Sequence, residues 1–89
     1  MQFEWDERKS AANLRKHGVA FSDAITVLAS DDHAITLSEE AVGDEERYIT
    51  IGIDGLGRVL VVVYTVRGEH VRIISARRAN KRECKEYER

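Results

Sequence analysis

The stretch that decides the fold is RYITIGIDGLGRVLVVVYTVRGEHVRIISARR, residues 47–78. Residues 47–53 alternate between apolar and polar side chains, residues 58–66 are nearly all apolar, and residues 71–77 are rich in β-branched side chains. These patterns predict three strands. The glycine-containing turns between them are short enough to join neighbouring strands as hairpins. The centre of the chain is therefore predicted to be an antiparallel meander.

The segments on both sides of this meander have helical patterns. Residues 7–17 predict a first helix, which Asp6 can cap and Gly18 can end. Residues 23–29 carry the apolar side of a second helix, and residues 81–87 predict a last one. The sheet is therefore expected to be covered by helices from both ends of the chain.

A fourth strand is predicted at residues 34–37, followed by an acidic loop over residues 38–46. The expected fold class is α+β, with two N-terminal helices, a four-stranded, mainly antiparallel sheet and a C-terminal helix. Eighty-nine residues suffice for one core and not for two. Residues 1–89 are therefore predicted to form a single domain.

The turns also predict which face of the sheet each side chain occupies. A two-residue turn pairs Arg67 with His70, and a four-residue loop pairs Ile53 with Arg58. This register places the following apolar side chains on the core face: Ile49, Ile51, Ile53, Leu60, Val62, Tyr64, Val71 and Ile73. It also places Arg67 and Arg77 on opposite faces, unless a bulge or a three-residue turn shifts the register.

Charge is distributed unevenly along the chain, although the net charge is only −2. Residues 1–57 contain 5 Lys/Arg and 12 Asp/Glu, whereas residues 58–89 contain 9 Lys/Arg and 4 Asp/Glu. The balance is therefore −7 in the first segment and +5 in the second. A basic C-terminal third is suited to meet phosphate, and the alternative is a solvated, salt-bridged face.

Several classes of protein are disfavoured by composition. A single cysteine, Cys84, excludes an internal disulfide and fits a reducing compartment. The sequence has no Cys or His spacing typical of a zinc site. The N-terminus does not resemble a signal peptide, and no apolar run approaches the ~20 residues that cross a bilayer. We therefore expect a cytoplasmic protein with no metal, no cofactor and no membrane contact.

Four groups of residues resemble a known family when their order and spacing are taken together. They are FEWD at 3–6 with Lys9, Asn13, KHGV at 16–19 and Phe21; ERY at 46–48 with Gly52; VVYT at 62–65 with Arg67; and RIISAR at 72–77 with Ala79, Glu83 and Tyr87. The chain is similar in these positions to the BrnT family of type II toxins. The resemblance covers essentially the whole sequence.

The resemblance implies a RelE-like fold and an endoribonuclease activity that lowers translation and growth. It also implies a BrnA-like antitoxin with a ribbon-helix-helix DNA-binding part. The toxin would then reach operator DNA only through the complex with that antitoxin, while RNA is its substrate. We expect the cleavage to need no metal ion.

Three residues are candidates for catalysis. Arg67 and Arg77 match arginines of the family, and a guanidinium can clamp phosphate through two hydrogen bonds. His17 is a candidate proton carrier because an imidazole titrates near pH 6.5. The alternatives are a turn residue for Arg67 and a cap on the helix carbonyls for His17.

Further cations are candidates for RNA binding, and plain solvation is the alternative for each. They are Lys9, Arg72, Arg78 and Lys81.

The rival hypothesis is a non-catalytic binding module that serves as co-repressor or scaffold for a DNA-binding partner. The predicted second face of the sheet exposes a group of apolar side chains, Val59, Val61, Val63 and Ile74. Monomers rarely leave such a patch bare. We therefore expect an antitoxin segment to cover this face and to block the arginines.

Overall fold

The computed structural model describes residues 1–43 and 45–89, with the side chains of these residues except 38–40 and 42. The elements in chain order are β1 Gln2–Glu4, α1 Glu7–His17, α2 Phe21–Ser30, β2 Ile35–Val42, β3 Glu45–Ile53, β4 Val59–Arg67, β5 His70–Arg78 and α3 Lys81–Glu88. The strands form one sheet in the order β1-β5-β4-β3-β2. The α+β class predicted from the sequence is confirmed.

Two details of the predicted sheet are wrong. The sheet has a fifth strand, β1, which pairs parallel with β5 through Phe3 and Val71, so the sheet is mixed. The segment predicted as an acidic loop is mostly strand, because β2 and β3 pair until Val42 lies opposite Glu45. Backbone pairing along a neighbour extends these strands without an apolar pattern. Asp44, also predicted in the loop, lies outside the described residues.

Helices α1 and α2 cover one face of the sheet, which we call the helix face. The Asp6 carboxylate caps α1 by accepting hydrogen bonds from the backbone of Arg8 and Lys9 at 2.8 and 3.1 Å. Gly18 ends α1 with a φ of 69°, a left-handed conformation that favours glycine. Both predicted helix boundaries are thus confirmed. The buried side chains between the helices and the sheet are Val19, Phe21, Ala24, Val27, Leu60, Val62, Val71, Ile73 and Ala76.

The register of β3 differs by one residue from the predicted one. Ile53 pairs with Val59 rather than with Arg58, and Gly52 pairs with Leu60. The prediction that Ile49, Ile51 and Ile53 share the face of Leu60 and Val62 is therefore wrong, since a shift of one residue moves every side chain to the other face. The Asp54 amide donates a hydrogen bond to the Arg58 carbonyl at 2.9 Å. Arg58 therefore faces Asp54 at the turn, and not Ile53 as predicted.

Gly52 explains why this register is the one that packs. A Cβ at this position would lie 2.5 Å from Cγ1 of Val27 and 3.0 Å from Cβ of Ala34. Contacts this short force neighbouring groups to move. A residue larger than glycine at position 52 would therefore push α2 away from the sheet.

Helix α3 covers part of the opposite face. Ile51, Val61 and Arg77 form one row across β3, β4 and β5, so their side chains share this face. Ile51 and Val61 are buried. Arg77 contacts Glu83 of α3 through two hydrogen bonds. The apolar surface that was predicted to bind an antitoxin is thus partly covered by α3. The part of this face outside α3 is called the open face below.

A bulge in β5 changes where Arg77 lies. Val63 pairs with Ser75 but the next residue of β4, Tyr64, pairs with Ile73, so Ile74 is an extra residue. Its insertion restores Arg77 to the face that carries Arg67. The two arginines therefore occupy the same face, so the structure has the bulge that was the stated alternative to an uninterrupted register.

Asn13 closes the edge of β5 beyond the short strand β1. Its side-chain amide donates to the carbonyl of Ala76 at 2.8 Å, and its carbonyl accepts from the Ala76 amide at 3.2 Å. The same amide nitrogen donates to the carbonyl of Val19 at 2.9 Å. A buried side chain thus supplies the two hydrogen bonds that a neighbouring strand would otherwise make, which holds α1 against β5.

Candidate nucleic-acid interface

The open face carries a polar row that crosses four strands. Arg47 of β3 lies opposite Thr65 of β4, Thr65 opposite Arg72 of β5, and Arg72 beside Glu4 of β1. Side chains at paired positions point to the same face. Two arginines therefore flank one threonine in the middle of the sheet.

A second polar row lies one pleat further along the same face. Arg67 pairs with His70 across the hairpin turn. Nδ1 of His70 lies 3.8 Å from a carboxylate oxygen of Glu4, and Nη2 of Arg67 donates to Glu45 at 2.8 Å. We call the two rows together the open-face cluster, which consists of Glu4, Glu45, Arg47, Thr65, Arg67, His70 and Arg72.

The open-face cluster has a net positive charge although its arginines have acidic partners. Its three arginines face two carboxylates, with Arg47 3.5 Å from Glu45 and Arg72 3.4 Å from Glu4. The hydrogen bond from Arg67 lowers the pKa of Glu45, so this carboxylate stays ionised. The side chain of Arg67 is 61% exposed. Such a cluster is suited to an anion that replaces or adds to the carboxylates.

Thr65 has an unusual environment in this cluster. The residue is 0% exposed. Its hydroxyl is buried and has no hydrogen-bond partner within residues 1–43 and 45–89. A buried hydroxyl without a partner costs free energy, and such groups are rare in folded proteins. Thr65 therefore lies beneath the surface of the open face, in the row of Arg47 and Arg72.

Two of the predicted site residues lie in the cluster, namely Arg67 and Arg72. Arg77 lies on the same face but in a row six residues further along β4, about 20 Å away at the strand rise. Its guanidinium makes a fork with Glu83, at 2.7 and 2.8 Å. These hydrogen bonds raise the pKa of Arg77. Arg77 therefore fastens α3 to the sheet in this structure.

The other predicted residues lie elsewhere. His17 and Lys9 line a separate cleft between α1 and β5, together with Lys16 and Ser75. Arg78 lies opposite Leu60, on the helix face at the end of β5. Lys81 is exposed at the first position of α3. The structure thus divides the predicted residues among several places.

Sequence reasoning missed five members of the cluster as site residues: Glu4, Glu45, Arg47, Thr65 and His70. The hairpin turn did place His70 beside Arg67 correctly. Arg47 and Thr65 come together only in the observed β3 register, which the sequence does not specify. The available signal for His70 was its pairing with an arginine of the family motif.

The described residues were compared with the requirements of a metal site and of a membrane span. Within residues 1–43 and 45–89, no group of three or more His, Cys, Asp or Glu side chains is placed to hold a metal ion. None of the helices described is both long enough and apolar enough to cross a membrane.

Comparison with known proteins gives the family. The model of the family described as ribonuclease toxin BrnT of type II toxin–antitoxin systems matches residues 5–83. No curated protein sequence matches the chain. The fold is similar to the crystal structure of the Brucella abortus ribonuclease toxin BrnT, with a TM-score of 0.68 and 28% identity over 91% of this chain and 99% of that one. The match spans most of the sequence, including every member of the open-face cluster except Glu4, and the chain belongs to the family of BrnT ribonuclease toxins of type II toxin–antitoxin systems.

Proposed function

We propose that the open-face cluster is the site at which this chain binds and cleaves RNA, without a metal ion, and so inhibits translation and growth. The observation that carries the proposal is the convergence of Arg67, Arg72 and His70 on one exposed sheet face. Arginines stabilise a charged phosphorane, and an imidazole moves protons near neutral pH. Family membership supplies the reaction class.

The proposed reaction is an internal transfer within the RNA. His70 accepts the proton of a 2′-hydroxyl, the 2′-oxygen forms a bond to phosphorus, and the bond from phosphorus to the 5′-oxygen breaks. The leaving 5′-oxygen takes a proton from water. Arg67 and Arg72 donate hydrogen bonds to the non-bridging oxygens, where negative charge accumulates.

The neighbouring groups hold these residues in place. Glu45 orients Arg67, and its lowered pKa makes it a poor base. Glu4 lies within 3.8 Å of His70 and 3.4 Å of Arg72, so one carboxylate orients both. The catalytic roles predicted for Arg77 and His17 stay predictions.

A BrnA-like antitoxin is the proposed partner, acting in the cytoplasm. A type II system pairs a toxin with a protein antitoxin, and the chain belongs to such a family. We propose that a ribbon-helix-helix part of the antitoxin holds the operator DNA, so that this chain meets DNA only through the complex.

The second candidate is a binding module without catalysis. It is favoured by the ion pairs that already occupy the cluster, since Arg67 and Arg72 each contact a carboxylate. In that case the same surface serves only to hold the partner.

The test combines growth with RNA cleavage by purified protein. We expect wild-type expression to stop growth, and the protein to cleave RNA in EDTA. The double variant Arg67→Ala/Arg72→Ala is expected to lose both effects by about 100-fold or more, the scale of removing donors to a transition-state charge. The matched control is Arg82→Ala/Lys85→Ala, which removes two exposed cations of α3. Folded wild-type protein that neither stops growth nor cleaves RNA, yet binds an antitoxin, establishes the binding module instead.

A further inference from the structure

A second basic site lies at the edge of the sheet, between α1 and β5. The cleft is lined by Lys9, Lys16 and His17 of α1 and by Ile74 and Ser75 of β5. Residues separated by seven or eight positions share one side of a helix, so the three α1 side chains face the same cleft. Lys9 and Lys16 are exposed, and His17 is partly buried.

The charges of this cleft are not explained by contacts within the chain. In the part of the chain that the structure describes, Lys9, Lys16 and His17 form no ion pair. Cations in the last turn of a helix are stabilised by the helix dipole, which accounts for Lys16. Lys9 lies in the first turn, where the dipole disfavours a cation. An anion bound in the cleft gives Lys9 a partner.

The cleft is continuous with the open face. Ser75 lines the cleft and pairs with Val63, two residues along β4 from Thr65. Two residues of a strand span about 7 Å, so Ser75 lies next to the row of Thr65 and Arg72. Strand β1 pairs with β5 only up to Arg72, and Asn13 closes the edge again at Ala76, so the gap between them lies beside Ile74 and Ser75. A chain of nucleotides can therefore pass from the arginines over Ser75 and around the edge.

We infer that the α1–β5 cleft binds the phosphodiester backbone of the RNA next to the phosphate held by the open-face cluster. The inference rests on the proposed function, because it assigns the same RNA a second contact. Lys9 and Lys16 act as phosphate ligands there. The bulge at Ile74 places Ser75 on the open face. Ser75 also lines the cleft, so this residue connects the two sites. The chain then prefers substrates of several nucleotides over a dinucleotide.

The test measures binding separately from cleavage. Affinity is determined by fluorescence anisotropy with 2′-O-methyl RNA of about ten nucleotides, which cannot be cleaved, at several salt concentrations. The variant Lys9→Gln/Lys16→Gln is expected to bind about 10-fold more weakly, with the salt slope reduced by up to about two. The matched control is Arg8→Gln/Arg15→Gln, two exposed arginines on the same helix with the same spacing. Equal losses in both variants, or none in the lysine variant, overturn the inference.

Cleavage of short and long substrates separates this inference from the proposed function. The lysine variant is expected to lose about 10-fold in kcat/KM on the long RNA, and less than about 2-fold on a dinucleotide, because only the long RNA reaches the cleft. Equal losses on both substrates contradict the inference while leaving the open-face cluster as the cleaving site. If wild-type protein binds RNA through the lysines but cleaves neither substrate, the inference stands and the proposed function fails.

Discussion

Replacing Asp54 with alanine is expected to lower the free energy of unfolding by about 3 kcal/mol, the scale of breaking a buried ion pair. The Asp54 side chain is fully buried, and its Oδ2 lies 2.8 Å from Nη2 of Arg58. Its other oxygen accepts hydrogen bonds from the amides of Leu56 and Arg58, at 3.0 and 2.8 Å. The substitution leaves the guanidinium and both amides without this acceptor. Because these contacts fix the turn between β3 and β4, the register of the sheet depends on them.

The same carboxylate makes stability depend on pH. Burial raises the pKa of Asp54, but hydrogen bonds from Arg58 and Leu56 outweigh it, so its pKa lies below the ordinary 3.8. A lowered pKa in the folded state stabilises above the unfolded value, and this stabilisation is lost as pH falls through the folded value. Wild-type protein is therefore expected to lose more stability between pH 7 and pH 3 than Asp54→Ala. Urea unfolding at both pH values measures this difference.

The control for this prediction is Asp32→Ala, which removes an exposed carboxylate beside α2. Exposed substitutions of this kind change stability by less than about 0.5 kcal/mol. A loss in Asp32→Ala as large as that in Asp54→Ala contradicts the account of the turn.

Replacing His70 with glutamine is expected to lower the rate of RNA cleavage by about 100-fold or more, because glutamine cannot carry a proton between substrate groups. Glutamine keeps a polar side chain of similar size beside Arg67 and Glu4, so the fold and the phosphate contacts are retained. Initial rates in EDTA measure the effect, and circular dichroism confirms folding. The control is His33→Gln, an exposed histidine in the turn before β2.

The variant His17→Gln decides between the two histidines. Loss of cleavage in His17→Gln but not in His70→Gln contradicts the proposed site and establishes the proton carrier predicted from the sequence. It also moves the chemistry to the α1–β5 cleft. Substitution of Arg77 is a weaker test, because its fork with Glu83 ties it to the attachment of α3.

Local signals in the sequence predicted much of the fold. Asp6 and Gly18 marked the ends of α1, and Asn80 caps α3 by accepting from the Glu83 amide at 2.9 Å. Strands β4 and β5 were evident from their apolar side chains. The turn at Gly68 fixed the first residue pairs of the hairpin that these two strands form. All these features depend on residues close in sequence.

Features that depend on distant contacts could not be predicted. Phe3 and Trp5 indicate a short strand or an anchor, but the sequence does not show that β1 pairs with β5, which is far away in the chain. The β3 register follows from the contact of Gly52 with Val27 and from the closing of the turn at Asp54. Neither has a local pattern of its own. A bulge such as that at Ile74 also leaves the alternation of apolar residues unclear.

The candidate site combines residues that were predicted from the sequence with residues that only the structure brings together. Arg67 was predicted because it matches an arginine of the family at the end of a hairpin, and Arg72 belongs to the family stretch RIISAR. Thr65 and Arg47 meet only in the observed register, so their proximity required the structure. The distance between Arg67 and Arg77 likewise depends on the full sheet.

The central claim is that RNA binds to the open-face cluster. The most direct test is an NMR titration of isotope-labelled wild-type protein with 2′-O-methyl RNA, which follows each backbone amide. The account predicts the largest shifts at Thr65, Arg67, His70 and Arg72, with smaller shifts at Ser75. Shifts confined to α2 and β2, or to the outer side of α3, would contradict it.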